Sequence, residues 1–144
     1  MSKVSEAIRK KLIEDTGTLG LMNATTGVIT GVFDDVAPED YKEYPFIVVS
    51  VQSPAIPSYS LGPSTPFLEG SVITARVVDN QLSAARAEDL AERIKEVLQD
   101  ASLEIRGQVP LWCRWKQEVD YSTVERGETF RHKGAQWDVK AGPQ

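Results

Sequence analysis

A chain of 144 residues with one cysteine, Cys113, fits a single domain that hides about 68% of its unfolded surface and needs no disulfide or metal to fold. The lone thiol excludes an internal disulfide and fits a reducing compartment. Sixteen basic against 21 acidic side chains give a formal net charge of −5, opposite to the Lys/Arg bias of a general nucleic-acid surface, and no apolar run before Thr25 suits a signal peptide or membrane span, so a cytoplasmic chain is expected at synthesis.

Ser2–Asp15 predicts a first helix, with Val4, Ala7, Ile8 and Leu12 on one side and Gly17 and Gly20 punctuating its end. Thr18–Ala24 reads as a short helical turn or a loop anchored by Leu19, Leu21 and Met22. Val28–Phe33 is an expected strand. It leads into a polar loop, Asp34–Glu43, whose carboxylates include Asp34, Asp35, Glu39 and Asp40. Pro45 then opens the strongest strand at its first position, where a missing N–H costs least. Ile47, Val49 and Val51 make one apolar face of that strand, and Phe46, Val48, Ser50 and Gln52 a mixed one. A strand apolar on both sides is expected centrally in a sheet.

From Ser53 to Phe67 the prolines at 54, 57, 63 and 66 predict a long loop that forms neither ladder nor helix. Its Ile56, Tyr59, Leu61 and Phe67 are too many apolar groups for a spacer, which leaves two readings: a partner contact ordered on assembly, or a loop that folds back on its own domain. Leu68–Asp79 follows as a strand rich in β-branched residues. Ser83 offers an N-cap oxygen to a helix reaching Asp100, in which Ala87, Leu90, Ala91, Ile94, Val97 and Leu98 form a stripe roughly 120° wide that must dock, most simply on a sheet. Ser102–Gln108 is an expected turn. Val109–Tyr121 alternates, with Leu111, Cys113, Trp115 and Val119 on one side and Trp112, Arg114, Lys116, Glu118 and Asp120 on the other, as in a half-buried strand. Ser122–Gly127 is read as the turn, Glu128–Ala141 as the returning strand, and Gly142–Gln144 as a short tail. No internal repeat or inter-domain linker interrupts the chain.

Site chemistry is sparse. The carboxylates of Asp34, Asp35, Glu39 and Asp40 lack the ligand spacing, glycine turn and distal glutamate of a Ca²⁺ loop. His132 is the only histidine, and Cys113 sits on the apolar side of its strand between tryptophans, the setting of an inert thiol. Neither Gly17–Gly20 nor Gly27–Gly31 has the lysine or spacing of a phosphate-binding loop. Trp112, Trp115 and Trp137 read as sheet packing rather than base-stacking platforms.

Three segments nevertheless carry a resemblance: Phe33-Asp-Asp-Val-Ala-Pro38, the strand entry Tyr44-Pro-Phe-Ile-Val-Val49, and the strand from Ser71 that runs directly into an amphipathic helix. In this order the chain, from Val4 to Ala141, resembles the tail-completion or tail-terminator family of long-tailed bacteriophages. The resemblance implies an α+β fold, with a mostly antiparallel sheet of four to five strands and two helices packed on one face. It further implies a non-enzymatic virion subunit without cofactor or metal. Such subunits form a ring, usually a hexamer, on the head-proximal end of the tail tube. The expected partners are the major tail tube protein and the head–tail connector or head-completion proteins. DNA crosses the channel without specific recognition, and no membrane is involved. A closed ring needs two different complementary patches on each subunit. The expected contacts are Tyr59, Leu61 and Phe67 on the long loop, and pairing of Asp34, Asp35, Glu39 and Asp40 with Arg126, Arg131 and Lys133 of a neighbour. Two other readings stay open: a neck or head-completion protein bound to the portal, and a cytosolic ligand-binding module or enzyme using a cleft near His132 and Cys113.

Overall fold

A computed structural model describes residues 3–15, 30–58 and 68–143. The elements are helix α1 (Lys3–Ile13), strands β1 (Val32–Asp34), β2 (Phe46–Ser58) and β3 (Leu68–Asp79), helix α2 (Ala85–Leu98), and strands β4 (Gln108–Glu125) and β5 (Glu128–Pro143). The strands form one sheet in the order β1-β2-β3-β5-β4. Only β1 and β2 run parallel; the other neighbours are antiparallel. This is the expected mostly antiparallel α+β arrangement.

Both helices cover the same face. Val4, Ala7, Ile8 and Leu12 of α1 and Ala87, Leu90, Ile94 and Leu98 of α2 are buried there with Ile47, Val49, Ile73, Ala75, Val77, Trp137 and Val139 of the sheet. Each fully buried aliphatic side chain contributes about 1.5–3 kcal/mol, so this layer is the main source of stability. Arg93 ties the helices together by donating to both carboxylate oxygens of Asp15, at 2.8 and 2.6 Å. The opposite face holds a smaller cluster in which Phe46, Val48 and Val78 meet Phe33, Tyr41, Tyr44 and Phe130.

Several boundaries differ from those read in the sequence. The ladder between β2 and β3 continues through Ser58, which pairs with Leu68, so the expected loop is strand for its first six residues. Register shifts between Val51 and Ser53 and between Ser53 and Ile56 show how Pro54 is accommodated: a bulge releases residues from the ladder that a proline cannot complete. Val51, expected on the core side, is exposed beside that irregularity. The expected turn at Ser122–Gly127 contracts to Arg126 and Gly127, both with positive φ (52° and 79°), and Glu125 pairs with Glu128 across it. Two consecutive left-handed residues make the hairpin turn whose twist matches its strands. A register shift between Trp115 and Gln117 reverses the alternation, so Val119 points away from the face that holds Cys113. The last strand reaches Pro143, absorbing most of the expected tail. Helix α2 begins at Ala85 rather than at Ser83, although the Ser83 hydroxyl still accepts the Ala85 N–H at 3.2 Å.

Candidate partner-binding surfaces

The acidic segment Asp34–Asp40 leaves the sheet at the β1 edge. Asp35 has a left-handed backbone (φ 67°) and donates its N–H to Val49 O at 2.8 Å. Tyr41 N–H bonds to Pro38 O at 2.9 Å, and the Tyr41 hydroxyl donates to Thr30 Oγ1 at 2.8 Å. The Tyr41 ring packs edge-on against Phe33 and Phe46, with centroids 4.7 and 5.5 Å away. Hydrogen bonds and aromatic packing therefore pin both ends of the segment, while Asp35, Glu39 and Asp40 are exposed and Asp34 is half-buried. Between them Val36 is 71% exposed.

The three expected cations are not equivalent. Lys133 Nζ lies 2.7 Å from Asp120 and 3.6 Å from Glu88, and the hydrogen bond to Asp120 leads the causes that hold its pKa above the usual lysine value. Arg131 donates to the Gln81 and Leu82 carbonyl oxygens at 3.3 and 2.7 Å. Both are thus engaged inside the subunit, supporting the β3–α2 junction and the underside of α2. Arg126 stands at the tip of the β4–β5 hairpin. It borders a cleft of about 340 Å³ together with Glu39, Tyr41, Tyr44 and Phe130, so the hairpin tip and the acidic segment of one subunit already share a surface. Tyr59, Leu61 and Phe67 lie outside the described residues.

The two sheet edges are unlike. On β1 the outward carbonyls are occupied: Val32 O accepts Arg9 Nε at 2.8 Å and Asp34 O accepts the Val36 N–H at 2.8 Å. The opposite edge is β4, far longer. It carries five of the eight large apolar side chains exposed among the described residues: Val109, Leu111, Trp115, Tyr121 and Val124. Such an edge ordinarily invites association unless something blunts it. Near its start the chain after α2 does so, because Cys113 O accepts the Asp100 N–H at 2.9 Å and Trp115 N–H donates to Gln99 Oε1 at 3.0 Å. Around these bonds lie cations stacked on aromatic rings: Arg114 over Trp112 at 4.8 Å and Lys95 over Trp115 at 5.5 Å. This aromatic, basic patch was not singled out from the sequence. The signal available was the run Trp112-Cys-Arg-Trp-Lys116, with Arg114, Lys116 and two of the three tryptophans in five residues.

His132 and Cys113 do not share a cleft. Cys113 is in the core beneath the helices, where burial first, then Asp100 and Asp138, push its thiol up to about 12. His132 lies on the other face, lining a cleft of about 290 Å³ with Phe46, Arg76 and Phe130. Arg76 Nε lies 3.3 Å from its Nδ1 and Thr123 Oγ1 lies 2.9 Å from its Nε2. Because an arginine N–H only donates, Nδ1 is the acceptor and Nε2 carries the proton given to Thr123. Burial and the Arg76 charge lower the His132 pKa to about 4, so the ring is neutral at pH 7. Among the described residues no group of three or more His, Cys, Asp or Glu is arranged to hold a metal ion.

No protein-family model and no curated protein matches this chain. Among solved structures it is similar to a chain of the "Virion of native gene transfer agent (GTA) particle", over 96% of this chain and 94% of that one, with a TM-score of 0.68 and 17% identity. A second solved chain aligns over the same shares at a TM-score of 0.44 and 11% identity, too distant to bear on the argument. What this chain and the virion chain have in common is the fold, from end to end.

Proposed function

We propose that this protein is a structural virion subunit, a single α+β domain that assembles into a ring at the head-proximal end of a phage tail tube. The ring has six subunits in the family that the sequence resembles. It stops tube polymerisation and joins the tail to the head connector, contacting the major tail tube protein on one side and head-completion proteins on the other. DNA crosses its channel without base-specific contacts, in keeping with a net charge of −5. The observation that carries this reading is the end-to-end likeness to a chain of a gene transfer agent virion, which agrees with the resemblance already borne by Phe33–Pro38 and Tyr44–Val49. Two unlike sheet edges support it, since a closed ring needs two different patches. So does the separation of Cys113 from His132 on opposite faces, which leaves interfaces rather than a nucleophile–base pair to do the work.

The test is assembly of tails with and without this protein, imaged by negative stain. Tubes that overgrow without it and carry a terminal ring with it are the expected result. Tubes of normal, controlled length in its absence sink the termination role. Selective capture of the portal rather than the tube protein would move the ring to the neck.

A further inference from the structure

We infer that the contact between neighbouring subunits is made by side chains of the two opposite sheet edges: the acidic Asp34–Asp40 segment of one copy docks on the first half of β4 of the next. This rests on the ring reading and specifies its interface. Three observations lead to it. The first is placement. β1 and β4 are the two ends of the same sheet, so a rotation that repeats the subunit head to tail brings one edge against the other, as a closed heterologous ring requires.

The second is charge. Gln108–Lys116 carries Arg114 and Lys116 and no carboxylate, whereas Gln117–Glu125 carries Glu118, Asp120 and Glu125 and no cation. Beside that second half lie Glu88, Asp89 and Glu92 of α2, which line a common cleft with Glu118 and Asp120. The Asp34–Asp40 segment has four carboxylates and no cation. It is therefore repelled by the second half of β4 and attracted by the first, where Lys95, Arg114, Lys116 and Lys140 outnumber Asp100, 4.0 Å from Arg114, and Asp138. Lys133 does not alter this choice, because Asp120 and Glu88 already engage it.

The third is the match of apolar groups and the state of the backbone. Val36 projects from the middle of the acidic segment, and Leu111 and Trp115 are 47% and 43% exposed on β4. Apolar groups at the centre with charges around them are the anatomy of a protein interface. On both edges the backbone at the contact is occupied, by Arg9 and Val36 on β1 and by Gln99 and Asp100 on β4. A continuous intersubunit ladder is thereby blocked at these points, and side chains make the contact.

Two double variants test the interface: Arg114→Glu with Lys116→Glu, and Glu39→Lys with Asp40→Lys. Circular dichroism melts first establish that each folds like the parent; all four positions are exposed. Native mass spectrometry and sedimentation velocity then read assembly. Each variant alone is expected to lose the ring, because like charges now face each other at every junction. An equimolar mixture is expected to recover it with the two variants in equal numbers, since each acidic edge then meets a basic one. Rings formed by either variant alone, or a mixture of folded variants that stays monomeric, overturn this interface while the parent's ring stands. A parent that forms no ring, free or on tail tubes, overturns the ring reading and the interface together.

Discussion

Arg86 grips Asp79 with two hydrogen bonds, Nε to Oδ2 at 2.9 Å and Nη2 to Oδ1 at 2.5 Å, and the Asp79 carboxylate is fully buried. Burial alone would raise its pKa; the hydrogen bonds and charge of Arg86, with the Asn80 N–H, outweigh burial and hold it below the ordinary 3.8. The pair joins the last residue of β3 to the first turn of α2, so it ties the start of the helix to the end of the strand. Arg86→Ala strands the carboxylate, a change that costs about 3 kcal/mol for a buried pair and somewhat less here, where Arg86 is a third exposed. The sign for pH follows from the lowered pKa: the contribution is complete above 3.8 and is lost as pH falls below it. Urea titrations at pH 7 and pH 3 check both parts, with the parent–variant gap expected to narrow at pH 3.

His132 titrates in a separate window. Its folded pKa of about 4 lies below the ordinary 6.5, so the folded state binds fewer protons than the unfolded chain in between. Its contribution is complete above pH 6.5 and is lost as pH falls towards 4. At about 1.4 kcal/mol per unit, the loss is on the order of 2–3 kcal/mol. The variant His132→Gln keeps a polar group for Arg76 and Thr123 and removes the titration, so its melting temperature is expected to fall less than the parent's between pH 7 and 4.5. With one histidine in the chain, a single imidazole proton resonance reports the pKa directly. A midpoint near 6.5 would refute the assignment.

Gly134 of β5 pairs with Arg76 of β3. A β-carbon there would lie 2.1 Å from Ala75 O and 2.6 Å from Arg76 Cα, and backbone in mid-sheet cannot yield. Gly134→Ala is expected to destabilise by about 3 kcal/mol or more, the upper range for overpacking. Gly70→Ala is the contrast. The three atoms nearest its β-carbon would all belong to the Lys140 side chain, the first at 3.2 Å, and that flexible chain can swing aside. A thermal melt of both variants should separate them clearly.

These positions indicate what the sequence discloses and what it hides. Helices α1 and α2 were legible because their apolar residues keep helical spacing and meet one face, and Val4, Ile8, Leu90 and Ile94 are buried as expected. The extension of β2 to Ser58 was not, because Pro54 and Pro57 mask a ladder that bulges carry around Pro54 and that runs in register through Pro57. One extra residue near Lys116 moved Val119 to the other face, and no period-2 pattern anticipates a bulge. For the candidate contacts, charge could be counted but engagement could not. Arg131 and Lys133 look as free as Arg126 in the sequence, yet carbonyls and carboxylates distant along the chain hold them. The Arg114–Lys116 patch escaped notice for the converse reason: its exposure depends on β4 being the edge, a property of topology.

The segment carrying Tyr59, Leu61 and Phe67 is the remaining proposed contact, and the pairing of Ser58 with Leu68 makes it separable from folding. Replacing residues 59–67 with Asn-Gly removes all three side chains and shortens the connection between two strands that are already paired. Because loop-closure entropy grows only slowly with length, stability is expected to change by less than about 1 kcal/mol. If the segment is a docking arm, the shortened subunit should fold and form rings like the parent, yet tails capped with it should fail to join heads. Electron microscopy of mixed heads and tails gives the count of joined particles, and a calorimetric melt gives the stability. Normal joining would remove Tyr59, Leu61 and Phe67 from the interface, and a large loss of stability would assign them to the subunit's own packing.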